Sequence, residues 1–338
     1  MSNQPPIEVP QGAIRLNTDS QKLEFYAQDR WYEIATNVPT LDGAARGFIA
    51  GGNVPGSGKT NGIQAINFAT LATDTAFGDL QTSRGGPAGA ASRTRGIVAG
   101  GGSPSRLDTI DFFSMAVRFS GVSASDFGNL TSGRSFDGGG LSSETRACFA
   151  GGTTPSNVNT IDYITIAHTG DAVDFGDLQA TSSQIAALSS PTRGIFTAFG
   201  PSVQNTMEFI TISTLGNAQD FGDLKVSTFA TGNGYGNSIR GEISGGTTPS
   251  AIDDRQSFIF ATKGNTVRFG DLLGVRDNHM CMSSPTRCVI AGGTFGGAPS
   301  NQIEYVNPIT SGSAVDTNTT FASAPSGSAG LSNAHGGL

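Results

Sequence analysis

Six times along the chain an arginine opens a run of the same kind. The runs are RGFIAGG from Arg46, RGIVAGG from Arg95, RACFAGG from Arg146, RGIFTAFG from Arg193, RGEISGG from Arg240 and RCVIAGG from Arg287. Their spacings are 49, 51, 47, 47 and 47 residues. A repeat of this length constrains the fold more than any local motif does, because one unit cannot bury its own faces and must stack on its neighbours. A second apolar run follows each arginine: IDFFSM from Ile110, IDYITI from Ile161, MEFITI from Met207 and IEYV from Ile303, with looser versions INFATL from Ile66 and SFIF from Ser257. A third element reads AFGDL at 76–80, DFGNL at 126–130, DFGDL at 174–178 and 220–224, and RFGDL at 268–272. A fourth stretch, such as TSSQIAALSS at 181–190, leads into the next arginine.

Short apolar runs separated by Gly, Ser, Thr, Asn and Pro read as brief strands joined by turns, and helical periodicity is absent. Four strands per unit predict an all-β, six-bladed β-propeller over residues 41–338, preceded by a small β-hairpin module over residues 1–40. The repeat also predicts how the ring closes. GLSNAHGG near the end of the chain aligns with ALSSPTRG, so residues 322–333 supply the inner strand of the first blade. TLDGAAR, just before the first run, aligns with the same element and competes for that place.

The pattern of arginine, apolar pair and Gly-Gly, followed by a strand bearing an aromatic, resembles kelch repeats. Phe77, Phe127, Phe175, Phe221 and Phe269 stand where kelch blades often carry Trp, and the fourth unit has Ala198 and Phe199 in place of Gly-Gly. The phenylalanines are expected between blades, in a turn where Gly supplies a bend and Asp accepts backbone N–H bonds. Three copies of DFG therefore carry no kinase meaning, since the Gly-rich loop and H-R-D context are missing. Asp174 with Asp177, or Asp220 with Asp223, falls far short of the 6–8 oxygens a calcium ion takes.

GGNVPGSGKT at 51–60 ends like a phosphate-binding loop, but Asn53 stands where the first Gly belongs. It occupies the place of GGGSPSRLDT, GGTTPSNVNT and GGTTPSAIDD, with Pro55 matching Pro104, Pro155 and Pro249, and so reads as a strand-to-strand loop. The register arginines Arg46, Arg95, Arg146, Arg193, Arg240 and Arg287 suit one of two roles. Each ties one blade to the next through carbonyls or a carboxylate, or together they form a ring that holds an anion or an acidic sugar.

His168, His279 and His335 are isolated, and Cys148, Cys281 and Cys288 make an odd set without C-x-x-C spacing, expected as buried thiols. No catalytic set, cofactor site or metal site is assigned, so the expectation is a non-enzyme. The formal net charge of −7 argues against nucleic-acid partners. No apolar stretch approaches the roughly 20 residues of a membrane helix, and MSNQPPIEVPQG lacks the basic start and apolar core of a signal peptide. Synthesis in a reducing cytoplasm is the expectation.

The N-terminal stretch GAIRLNTDSQKLEFYAQDRWYEI alternates apolar residues in three short runs, a hairpin plus a third strand. So small a sheet is marginal alone, which gives Ile14, Leu16, Leu23, Phe25 and Trp31 as docking residues. Ile14, Arg15, Asn17, Thr18, Lys22, Glu24, Tyr26 and Trp31 resemble an element common in tail-fibre and other structural proteins of bacteriophages. With the Gly-rich kelch-like units, the chain resembles a phage virion structural protein of tail or fibre type. The resemblance implies attachment to the particle by the N-terminus and an outward propeller. Its partners would be other virion proteins, copies of itself, or a host-surface glycan or receptor. A glycan-active virion enzyme and an intracellular kelch-like adaptor are the alternatives. The first needs paired carboxylates, and the second a cellular partner.

Overall fold

The computed structural model describes residues 9–17, 22–33, 45–102, 104–116, 121–229, 234–323 and 325–338. These residues are all-β, without a helix, and so without one long and apolar enough to cross a membrane. The chain divides into two units, Met1–Asp42 and Gly43–Leu338.

The first unit is an antiparallel sheet of β1 (Ile14–Asn17), β2 (Lys22–Ala27) and β3 (Arg30–Glu33) in that order. Gln28 and Asp29 join β2 to β3 with φ of +49° and +59°, and positive φ at both central residues is the two-residue hairpin geometry that suits strand twist. The register aligns Ile14, Phe25 and Tyr32 across the sheet. Trp31 lies opposite Tyr26 and therefore on the other face. The five residues expected to dock together are thus divided between two faces. The side chains of Leu16 and Leu23 lie outside the described residues.

The second unit contains six sheets that share a core of four antiparallel strands. Their first strands are Ala329–Ser332, Ala88–Ala91, Gly140–Ser142, Ala186–Ser189, Tyr235–Gly236 and Met280–Ser283. Their second strands are Arg46–Ala50, Arg95–Ala99, Arg146–Ala150, Arg193–Thr197, Arg240–Ser244 and Cys288–Ala291. The third are Gly62–Asn67, Thr109–Ser114, Ser156–Thr165, Gln204–Thr211, Asp254–Ile259 and Gln302–Val306. The fourth are Thr73–Asp79, Ser125–Asn129, Val173–Ser182, Gln219–Thr228, Val267–Asp271 and Val315–Thr320.

The second strands are apolar without alternation because both their faces are buried. Phe48 packs with Val98 and Phe113 of the second sheet, whereas its neighbour Ile49 packs with Met282, Val289 and Ile303 of the sixth. A strand between two layers has no solvent side on which a polar residue would be cheaper.

FG[DN]L is not a turn. It lies in the fourth strand at a bulge: Ile161 faces Gly176 and Asp162 faces Asp174, leaving Phe175 as the extra residue. That places the five phenylalanines in the interior, at most 9% exposed. Gly176 is needed there because the next sheet's backbone arrives against it. Gly216 N–H donates to Phe175 O at 2.9 Å, and a Cβ on Gly176 (φ +143°) would stand 2.6 Å from the Gly216 carbonyl. The aspartate that accepts a backbone N–H here is not that of FGDL but Asp174 ahead of it, whose Oδ1 accepts Gly176 N–H at 3.1 Å.

The first strand of the first sheet is Ala329–Ser332, in register with Gly47–Ala50. The competing stretch lies mostly outside the described residues, which omit 34–44. Asn333 Oδ1 accepts Arg46 N–H at 2.8 Å, just as Ser92, Ser143, Ser190 and Ser284 Oγ and Asn237 Oδ1 accept the N–H of the arginine three residues later. The tail thus reproduces the turn that the other five units make within a continuous chain. GGNVPGSGKT forms a small hairpin, Asn53–Val54 against Gly58–Lys59, with no helix N-terminus to receive phosphate.

Candidate functional site

The arginines do the joining. Each of five register arginines donates to a carbonyl just past the third strand of the following sheet. Arg95 reaches Ile166 O at 2.9 Å and Arg146 reaches Ile212 O at 2.7 Å. Arg46 bonds Met115 O, Arg193 bonds Phe260 O, and Arg287 of the sixth sheet bonds Phe68 O of the first. Each guanidinium also lies over an aromatic ring of its own sheet, as Arg146 does over Tyr163 at 4.5 Å and Arg287 over Tyr305 at 4.7 Å. Those partners engage the guanidinium heads at the junctions between sheets.

Arg240 departs from the pattern. It lies 4.3 Å over Phe269 but, among the described residues, donates no hydrogen bond across the junction. Arg255 does that instead, bonding Gly312 O and, at 3.5 Å, Asn307 O of the sixth sheet. Arg255 pairs with Glu242 at 2.6 Å, and the two occupy positions where the other sheets carry apolar pairs such as Ile97 and Ile110.

A second set of arginines went unread in the sequence. Arg84, Arg134 and Arg276 are fully buried. Arg84 Nη1 donates to Gly100 O and Thr109 O at 3.2 and 3.1 Å, and Nη2 pairs with Asp111 at 3.1 Å. Arg134 repeats this with Gly151 O, Thr160 O and Asp162, and Arg276 with Gly292 O, Gln302 O and Glu304. The signal was present: each arginine follows the Leu of FG[DN]L by four residues, and each acid follows an Ile that opens the second apolar run.

At the same four-residue step the third and fourth units have Ser182 and Thr228, whose hydroxyls donate to Gly200 O and Gly245 O at 2.9 and 3.2 Å. The acid position then carries Gln256 after Thr228, but Glu208 after Ser182. Whatever its identity, the residue at the acid position accepts a backbone N–H from the preceding sheet. The donors are Gln81, Thr131, Gln179, Val226 and Leu273 to Asp111, Asp162, Glu208, Gln256 and Glu304, and Ala322 of the sixth sheet to Gln64 of the first, at 2.8–3.0 Å.

Glu208 is buried, at 3% exposure, without an ion pair among the described residues, and burial pushes its carboxyl up from the usual range. A carboxyl that binds its proton more tightly folded than unfolded makes stability fall as pH rises from the unfolded pKa through the folded one. Glu208→Gln copies Gln64 and Gln256 and removes that loss. It is expected to raise stability at pH 7 by about 0.5–2 kcal/mol and to flatten the pH dependence between about 4 and 7. Urea denaturation across that range reads both, and a destabilised variant would refute the assignment.

The first strands of all six sheets line one cavity, their Gly, Ala and Ser residues interleaved with larger ones such as Leu141, Leu188 and Tyr235. Ser142 Oγ donates to Ala91 O at 2.8 Å and Ser189 Oγ to Ser142 O at 2.6 Å, and a Cβ on Gly140 would stand 2.3 Å from Gly89 O. At those small positions larger side chains would collide with the next backbone. The space for water there is about 50 Å³, room for only a few water molecules. His335 and Gly336 of the tail line it, and His335 Nε2 lies 3.0 Å from Ala91 O and 3.1 Å from Ser142 Oγ.

The remaining reactive types are quiescent. Burial pushes the Cys148 thiol up to about 12, and raises Cys281 and Cys288 well above their usual value, which disfavours the nucleophilic thiolate. Burial pushes His279 down to about 3 and His335 to about 4, so both are neutral near pH 7, while His168 is exposed. Among the described residues no three of His, Cys, Asp and Glu gather as a metal set. In the first unit Arg15 lies 4.1 Å over Trp31 and pairs with Glu24 at 2.8 Å, while Ile14 is 65% and Phe25 37% exposed.

Comparison with protein-family models and with curated proteins finds no match for the chain.

Proposed function

We propose that the second unit is a six-bladed, kelch-like β-propeller and that the protein is a non-enzymatic structural component of a bacteriophage virion. One observation carries the propeller reading. The bond from each sheet to the acid position of the next recurs six times, the last from Ala322 of the sixth sheet to Gln64 of the first. Six apolar clusters spanning successive sheets support it further, including the one that joins sixth to first. A ring so tied is a stiff platform for variable loops, which suits display better than chemistry.

The virion reading rests on the resemblance of residues 14–31 to a phage fibre element. A three-stranded sheet with exposed Ile14 and Phe25 has the character of a module completed by a partner. In this reading the N-terminal unit docks on other virion proteins. The propeller faces a host-surface glycan or receptor, or a neighbouring subunit.

Two measurements test these readings. Class averages of the isolated protein should show a ring of six lobes, and another number would overturn the propeller. Deleting residues 1–36 should leave the melting temperature of the second unit within about 2 °C while abolishing incorporation into particles. Normal incorporation of the truncated protein would sink the docking assignment.

A further inference from the structure

The structure assigns a carboxylate-binding site to the cavity beside Arg240, and we propose that its ligand is an acidic sugar. Five register arginines donate across a junction to the next sheet, and the sixth, Arg240, is displaced from that duty by Arg255. Arg240 lines a cavity of about 180 Å³ together with Ser257, Thr262, Lys263, Asn265 and Val267. One water needs only ~10–15 Å³ by such a measure, so the space admits a small ring.

The lining has the chemistry of a carboxylated sugar. Arg240 is held face-on by Phe269, which leaves its N–H edge for a planar anion, the bidentate geometry that guanidinium favours. Lys263 adds a second positive charge from the hairpin loop, its ammonium 4.5 Å over the Phe209 ring of the preceding sheet. Glu242, whose charge reaches Arg240, is itself paired with Arg255 at 2.6 Å. Thr262 offers a hydroxyl for sugar hydroxyls and Asn265 its amide N–H, its Oδ1 already accepting Asp223 N–H at 3.0 Å, and the exposed Val267 offers an apolar wall for ring C–H groups. An acidic peptide would satisfy the two cations but leave the hydroxyl-binding groups idle. The same register residue in the other five sheets is spent on a carbonyl, so the site occurs once per chain.

The source of the sugar rests on the host-surface reading, whereas binding itself does not. Titration calorimetry of the full chain with sodium glucuronate, glucose, acetate and a capped Glu peptide tests the proposal. Glucuronate should bind in the millimolar range, more weakly as salt is added, with acetate at least tenfold weaker and glucose undetectable. Lys263→Gln, in an exposed loop where folding is undisturbed, should weaken glucuronate by about three- to tenfold, and Arg240→Gln by more than tenfold. Equal affinity for glucuronate and glucose, preference for the peptide, or an unchanged affinity in Lys263→Gln would overturn it. Glucuronate binding without adhesion to host cells would leave this site standing and remove the host-surface reading. Adhesion without glucuronate binding would do the reverse.

Discussion

Truncation after residue 324 is expected to lower the melting temperature of the second unit by more than about 10 °C and to cause aggregation on heating. The lost segment holds Ala329 and Leu331, 1% and 5% exposed, which pack with Phe48, Val98 and Phe113. Leucine burial alone is worth about 1.5–3 kcal/mol. The backbone contribution adds to it, because Gly47–Ala50 would lose its ladder partner and expose a row of N–H and C=O groups. Arg46 would also lose the Asn333 cap on its N–H, and Gly51 O the hydroxyl of Ser328 at 2.8 Å. At about 2–4 °C per kcal/mol for a unit of this size, several kcal/mol give a shift of that order.

The comparison variant replaces Pro55–Ser57, at the exposed tip of the Asn53–Lys59 hairpin, with Asn-Gly. It should change the melting temperature by less than about 2 °C. The loop before the fourth strand of the second sheet would be a poor control, because Val122 and Ser123 pair with Gly78 and Asp79 of the first sheet. Equal melts for the truncation and the hairpin variant would mean that TLDGAAR takes the place of the lost strand.

Strand content, unit boundaries and the C-terminal strand were legible in the sequence because the repeat states the same arrangement several times over. Position within the strands was less so. FG[DN]L looks like a turn, since Gly and Asp usually are turn residues, and only the neighbouring Gly216 backbone reveals that Gly176 makes room inside a strand. The register arginines were visible because they open each run. Arg84, Arg134 and Arg276 were hidden because their acid partners lie in the following unit, 27–28 residues further along, where no local motif joins them. Arg240 could not be singled out at all. Its difference from the other five lies in Arg255, a residue that breaks the apolar pattern of a third strand rather than any pattern of the register position.

The buried arginines supply a sharper test of how the sheets are joined. Arg134→Thr alone is expected to cost about 3–5 kcal/mol, because it leaves the Asp162 carboxylate buried without its partner and frees the carbonyls of Gly151 and Thr160. Adding Asp162→Gln should recover most of that loss. The chain already contains this arrangement at another junction: Thr228 donates to Gly245 O, while Gln256 Oε1 accepts Val226 N–H and its Nε2 donates to Val226 O, both at 2.9 Å. Recovery should stop short of the parent because threonine does not fill the volume of the guanidinium, and the cavity costs about 1 kcal/mol or more. Urea denaturation of both single variants and the double closes the cycle, with a coupling energy above about 2 kcal/mol expected. A double variant no more stable than Arg134→Thr would mean that the junctions are not interchangeable and that the ion pair is fitted to its own sheet. Full recovery would mean that the pair contributes nothing beyond the neutral junction, leaving apolar packing between successive sheets to hold them together.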